Sequence, residues 1–205
     1  KLASIEGPQT FDTKGFLPGD TALPYTVNFN NDPGASTYVN AIRIVTQLDP
    51  SLDARSFALG DIKVGDITIH VAAGQSSFTQ DIDFSATRGF ILRVSAGIDL
   101  FQNPASATWV IQAVDPLTGE VLTDPTRGLL KPNDGLNNGA GFVSWTARIK
   151  DDVATGTNIT ASARVLFDTQ PPEDTGTLTQ VADTKAPVST LVTARIGTSD
   201  SYVVS

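Results

Sequence analysis

Apolar residues recur at every second position in segment after segment of this chain. PYTVNF sets Tyr25, Val27 and Phe29 on one side and Thr26 and Asn28 on the other. Successive side chains of a strand point to opposite faces, so this period of two predicts half-buried β-strands. AIRIVTQLD groups Ile42, Ile44 and Leu48; DITIHV groups Ile67, Ile69 and Val71; FTQDIDF groups Phe78, Ile82 and Phe84. GFILRVSAGID aligns Phe90, Leu92, Val94, Ala96 and Ile98, and ATWVIQAVD aligns Trp109, Ile111 and Ala113. GFVSWTARI aligns Val143, Trp145, Ala147 and Ile149, and NITASARVLFD aligns Ile159, Ala161, Ala163, Val165 and Phe167. No window of helical length carries a 3.6-residue apolar stripe. The best helical candidate is the short SLDARSF, with Ser51 as its N-cap.

Turn builders separate these runs: NNDPGAST, LGDIKVGD, DPLTGE, TDPTRG, KPNDGLNNGAG and DTQPPEDTG. Pro presets φ, Gly supplies positive φ, and Asn and Asp bond their own backbone. Many short strands joined by such turns, without helices, predict an all-β fold: an antiparallel, Greek-key, immunoglobulin-like β-sandwich. The module is expected over 1–182, its first ~20 residues leading in. Near the C-terminus DTQPPEDTGTLTQVADTKAPVST is rich in Pro, Thr and Asp, as linkers between modules are. Residues 183–205 are therefore expected to be a linker plus the truncated first strand of a following module. The start at KLASIEG, without Met, likewise reads as a segment cut from something larger.

The 205 residues and 40% hydrophobic content support one sizeable core. Charge then narrows the partners. With 14 basic and 22 acidic side chains the formal net charge is −8, which repels nucleic acid and anionic membrane surfaces. No apolar run approaches the ~20 residues of a membrane span. Absence of Cys removes disulfides, thiolate metal sites and thiol nucleophiles. Lacking Met as well, the chain has neither readily oxidised sulfur side chain, which suits the outside of a bacterial cell.

Four sequence blocks carry a family resemblance. They are Y-T-I/V-x-F at Tyr25–Phe29, an L-D-P-x-L-D-x-x-S/T-F stretch within Gln47–Phe57, G-F-V-x-F/Y at Gly141–Trp145, and the block Gly156–Pro172. Over residues 22 to 175 the chain resembles the DUF11-like and DUF7619-like β-sandwich repeat modules of large bacterial surface and secreted proteins. Trp145 stands where that family has Phe or Tyr, and Gln170 where it has Asn. The tail resembles the start of a bacterial immunoglobulin- or fibronectin-like repeat. The resemblance implies a modular extracellular position and no catalysis, and it names no ligand.

Candidate chemistry is sparse. His70 is the only histidine, so it alone could serve a Ser-His-Asp arrangement, and no Gly-x-Ser-x-Gly elbow accompanies it. Its alternation with Ile67, Ile69 and Val71 places it on a wet strand face. Asp81 and Asp83 share one face at ~7 Å spacing, a pattern more typical of edge protection than of a glycosidase pair. Asn158 opens an Asn-Ile-Thr sequon, discounted because it falls within a strand pattern of a bacterial-looking chain. Calcium is the one cofactor the loops suggest, because hard cations take several carboxylate and amide oxygens. Asn31, Asp32, Asp134, Asn137, Asn138 and Asp168 are the candidate ligands; Asp61, Asp66 and Asp174 lie in similar loops, and none has EF-hand spacing. The same residues are ordinary turn formers. For carbohydrate, Trp109 and Trp145 fall in phase with the core, leaving Tyr38 as the candidate exposed platform.

These features suggest a monomeric, non-catalytic accessory or spacer module, extracellular or at a bacterial cell surface, whose partners are neighbouring domains of its own chain. The alternative is a carbohydrate-binding module, with polysaccharide as partner, attached to a polysaccharide-degrading enzyme.

Overall fold

The computed structural model describes residues 1–10, 15–185, 193–195 and 202–204, the last two for their backbone only. In chain order the strands are β1 (Ala3–Glu6), β2 (Phe16–Pro18), β3 (Leu23–Asn30), β4 (Ala41–Gln47), β5 (Leu52–Val64), β6 (Ile67–Ile69) and β7 (Ser77–Phe84). There follow a single helical turn, α1 (Ser85–Arg88), then β8 (Phe90–Asp99), β9 (Ser106–Val114), β10 (Ala140–Ile149), β11 (Asn158–Ala161) and β12 (Arg164–Phe167). The last are β13 (Glu173–Asp174), β14 (Leu178–Asp183), β15 (Thr193–Arg195) and β16 (Tyr202–Val204).

Two sheets form the body, with orders β1-β3-β10-β5-β6 and β13-β12-β4-β9-β8-β7, all neighbours antiparallel. The first four strands of one sheet occupy the A, B, E and D places of an immunoglobulin-like sandwich. Strands β4, β12 and β13 occupy the C, F and G places. Segment β6–β9 is an insertion between the D and E places, and it widens the second sheet by three strands. A third, small sheet runs β11-β14-β2, and β15 pairs with β16. The expected all-β Greek-key sandwich is the observed fold.

The alternation explains why the sheets face each other. Tyr25, Val27, Phe29, Val143, Trp145 and Ala147 from one sheet are buried, as are Ile42, Ile44, Leu92, Val94, Trp109, Ile111, Val165 and Phe167 from the other. Aromatic rings stack within the first sheet and reach across to the second. Trp145 stacks on Tyr25 at 4.4 Å and on Phe57 at 5.7 Å, Phe57 meets Trp109 at 6.3 Å, and Phe29 meets Phe167 edge-on at 6.2 Å. Burial pushes the Tyr25 phenol pKa up to about 12, with the charge of Asp49 adding to it.

Three expectations are revised. SLDARSF is not a helix: it opens the 13-residue strand β5. Register shifts opposite β10 put Leu52, Phe57, Leu59, Ile62 and Val64 inward at uneven spacing, hiding the period of two. Gly60 sits at one of these irregularities, where a Cβ would come 2.4 Å from the Ser144 hydroxyl. The first 20 residues are not merely a lead-in, since they supply β1 and β2. Similarly, the Pro- and Thr-rich stretch contributes β13 and β14 to the folded body; the linker expected beyond it falls largely on 186–192, outside the described residues.

Neither indole N–H finds an acceptor among the described residues. The two tryptophans therefore contribute volume and ring contact, not a hydrogen bond. Trp145→Ala is expected to lose about 3–5 kcal/mol through the cavity it leaves. Trp145→Phe should lose clearly less, because no hydrogen bond goes with the indole. Urea unfolding of both variants checks this, and equal losses would contradict it.

Candidate functional site

The loops between β3 and β4 and between β9 and β10 meet at one end of the sandwich and are stitched together by the backbone. Val39 and Leu130 exchange amide–carbonyl bonds at 2.8 and 2.9 Å, and the Tyr38 amide donates to Pro125 O at 3.0 Å. The Asn31 amide donates to Gly139 O at 2.9 Å, while Asn31 O accepts from the Asn133 amide at 3.2 Å. Two of the calcium-candidate loops are thus neighbours.

Their side chains, however, are engaged with each other. Asn31 is buried, and its Nδ2 donates to Thr37 O at 2.9 Å and Leu130 O at 3.1 Å. Asp32 accepts the Gly34 amide at 2.8 Å, closing its own turn. The Asp134 carboxylate accepts the amides of Leu136 and Asn138 at 3.0 and 3.1 Å and the Asn138 Nδ2 at 2.8 Å, and Lys131 Nζ lies 3.1 Å away. Asn137 takes positive φ (57°) and its Oδ1 accepts from Asn133 Nδ2 at 3.3 Å. Asp168, also at positive φ (48°), sits with another group: its Oδ1 accepts the amides of Asn40 and Ala41 at 3.0 and 2.9 Å. Among the described residues no three Asp, Glu or His side chains gather as a metal set. Asp61 accepts from Val71 and meets His70, Asp66 pairs with Arg88, and Asp174 pairs with Arg164.

Asn40 is the hub that the sequence reading missed. Its side chain is buried, donating to Leu122 O at 3.2 Å and accepting the Leu129 amide at 3.1 Å, so it ties residues 122–129 to the start of β4. A buried amide serves this role because it donates and accepts at once.

Beside this hub Tyr38 lines a cleft of about 400 Å³ with Asp66, Arg88, Arg127, Lys131 and Asn138. Tyr38 is half-buried there, not the open platform expected. Arg88 grips Asp66 with two bonds of 2.7 Å and lies over the Phe84 ring at 5.4 Å. These bonds hold the Asp66 carboxyl below its usual pKa range. Arg127 donates to Gly89 O at 2.9 Å and to Asp124 at 3.1 Å. Each cation of the cleft thus has a carboxylate partner, and its charge is largely balanced. Arg127–Asp124 and Lys131–Asp134 are local pairs three residues apart, whereas Arg88–Asp66 and the Arg127 bond to Gly89 O join distant parts of the chain that no local spacing announced.

Elsewhere, His70 is exposed with its Nδ1 3.1 Å from Asp61. Asp81 pairs with Arg93 directly across the strands at 3.0 and 3.1 Å, and Asp83 accepts the Ser85 amide at 2.8 Å. Both indoles are interior, at 0% and 2% exposure. Among the described residues Phe101 is a fully exposed aromatic, beside the half-exposed Leu100 in the β8–β9 turn, a position the alternation did not mark.

Among known proteins, no family model matches the chain, the expected repeat family included, and no curated protein matches it. Solved structures do show a general likeness. The collagen-binding domain of a Staphylococcus aureus adhesin aligns over 89% of this chain and 97% of its own, at 10% identity and a TM-score of 0.40. Domains D2 and D3 of the major pilin SpaD from Corynebacterium diphtheriae align over 86% of this chain, at 17% identity and 0.43; the chain spans about half (51%) of that structure. BcpA, the major pilin subunit of Bacillus cereus, aligns over 88% of this chain and 40% of its own, at 11% identity and 0.42. At these scores and identities no ligand, partner or activity passes from those proteins to this chain. No helix among the described residues is long and apolar enough to cross a membrane.

The Asn138 side chain, with the surrounding amides and Lys131, holds the Asp134 carboxyl well below its ordinary value of 3.8. A depressed folded pKa contributes stability above the ordinary value and loses it as pH falls through the folded one. Asp134→Asn should therefore be less stable than the parent at neutral pH, with the gap narrowing once pH drops below 3.8. Denaturant unfolding across that range measures it. A gap that does not change with pH would show that the charge plays no part.

Proposed function

We propose that the chain is a non-catalytic spacer module of a large secreted or surface-attached bacterial protein, holding its neighbouring domains apart and in place. One observation carries this reading: the side chains capable of chemistry are spent on the fold. The indoles lie inside, the loop carboxylates accept their own turns' amides or pair with Arg and Lys, and His70, exposed just past β6, is paired with Asp61. An acidic surface with net charge −8 keeps such a module soluble and apart from its copies. Bacterial origin and extracellular placement rest on the motif resemblance. Calcium is not needed at Asp134 in this reading, because the donors around its carboxylate already do what a cation would do, and Lys131 repels one.

Carbohydrate binding keeps a place as second reading because Tyr38 borders a polar cleft large enough for a sugar unit and Phe101 is bare. Native affinity electrophoresis through polysaccharide-loaded gels separates the two. The spacer reading expects the protein to migrate as a non-binding control does, and to melt at one temperature with chelator or millimolar calcium. Retardation abolished by Tyr38→Ala or Phe101→Ala would replace it with sugar recognition. A calcium-dependent rise in melting temperature would establish an ion site.

A further inference from the structure

The N-terminal segment lies alongside the C-terminal segment and runs in the same direction. Lys1 Nζ donates to Thr175 O at the start of the seam. Gly7 packs so closely under Leu178 that a Cβ there would come 2.5 Å from Leu178 Cδ2, and Pro8 O accepts from Gln180 Nε2 at 2.9 Å. Farther along, β2 pairs with β14 in parallel, with Phe16, Leu17 and Pro18 opposite Val181, Ala182 and Asp183. The Val181 amide donates to Gly15 O at 3.1 Å. Gly19 closes against Thr184. Position advances together on both segments, from Lys1 beside Thr175 to Gly19 beside Thr184.

Strand β14 is also held from its other edge. Ala182 donates to Thr157 O at 2.9 Å and accepts from the Gly156 amide at 2.8 Å. Leu17 and Ala182 are fully buried, so the pairing has an apolar backing as well as a hydrogen-bonded edge.

This geometry has a mechanical consequence. In a parallel pair such as β2 with β14, the chain enters the seam at one end, from Lys1, and leaves it at the other, at Lys185. Tension between Lys1 and Lys185 then slides the strands along each other, and every bond of the seam bears load together. Were the same pair loaded from one end only, its bonds would break one after another. Forced unfolding is governed by the unfolding barrier, not by equilibrium stability, so the direction of load matters even when the fold is unchanged. We infer that the seam of residues 1–8 and 15–19 against 175–184 is a shear clamp, which makes this module resist tension applied between Lys1 and Lys185. The clamp rests on the spacer reading for its purpose, since a spacer in a long surface chain is the part that carries pull.

The chain has no Cys, so introduced thiols give unique attachment points in the full chain. One variant carries a Cys added ahead of Lys1 together with Lys185→Cys, which keeps the Lys1–Thr175 bond and loads the seam in shear. A second carries Asp20→Cys with Lys185→Cys, and pulls both strands from the same end of the seam. Asp20 and Lys185 are exposed, so neither change disturbs the core; matching melting temperatures confirm that both variants fold alike. Single-molecule pulling should give a rupture force several-fold higher for the first pair than for the second. Equal rupture forces would overturn the clamp and leave the spacer reading standing. Polysaccharide binding would end the spacer reading without altering the ratio of the two forces, so the two failures can be told apart.

Discussion

Everything in this molecule depends on one column of rings. Tyr25, Trp145 and Phe57 stack across three neighbouring strands of one sheet, and Phe57 hands the contact to Trp109 in the other. Because β3, β10 and β5 present these rings to the same side, the first sheet has one greasy face and one wet one, and the second sheet must cover the former. Large aromatic rings bury more apolar area per residue than aliphatic side chains do, and a sandwich without disulfides needs that area. The absence of an acceptor for either indole N–H fits the same view: these rings are there to fill space.

With the rings inside, the loops are left to the polar residues, and there the constraint is different. Connections 31–40 and 115–139 carry backbone amides that no sheet satisfies. Asn40, Asp134 and Asp168 accept from them through their side chains, while the Asn31 Nδ2 donates to the carbonyls of Thr37 and Leu130. A group serving as a loop's internal partner has little capacity left for a ligand, which is why a sequence rich in Asn, Asp and Gly does not amount to a metal site by composition alone. Surface carboxylates are similarly answered by arginines across a strand pair or a turn, as Asp81 is by Arg93 and Asp174 by Arg164. Such exposed pairs add little stability each, yet they settle where the charges point.

Which residues are interior was readable from alternation alone wherever pairing is regular. Tyr25, Val27 and Phe29, or Val143, Trp145 and Ala147, lie inside as their spacing requires. The reading failed where geometry departs from the period: the displaced register of β5 puts Leu52 and Phe57 both inside although their odd separation is out of phase with a regular strand. It also failed where partners are distant in the chain. The Arg88–Asp66 grip, the Asn40 hub and the seam between β2 and β14 are products of topology, which no local pattern encodes. The exposure of Phe101 was hidden for the opposite reason, since a turn has no period to read. Of the candidate calcium ligands, composition showed only that they sit in turns; that Asn31 and Asp134 belong to adjoining loops while Asp168 serves Asn40 emerged only from the fold.

Iodide quenching of the intrinsic fluorescence tests the central claim most directly, because it reads the two indoles and nothing about any ligand. Iodide is charged and stays in water, so rings enclosed between two sheets are out of its reach. The account predicts blue-shifted native emission insensitive to iodide, with quenching restored once urea opens the fold. Strong quenching of the native protein would put an indole at the surface, contradict the ring column, and return sugar recognition to the front.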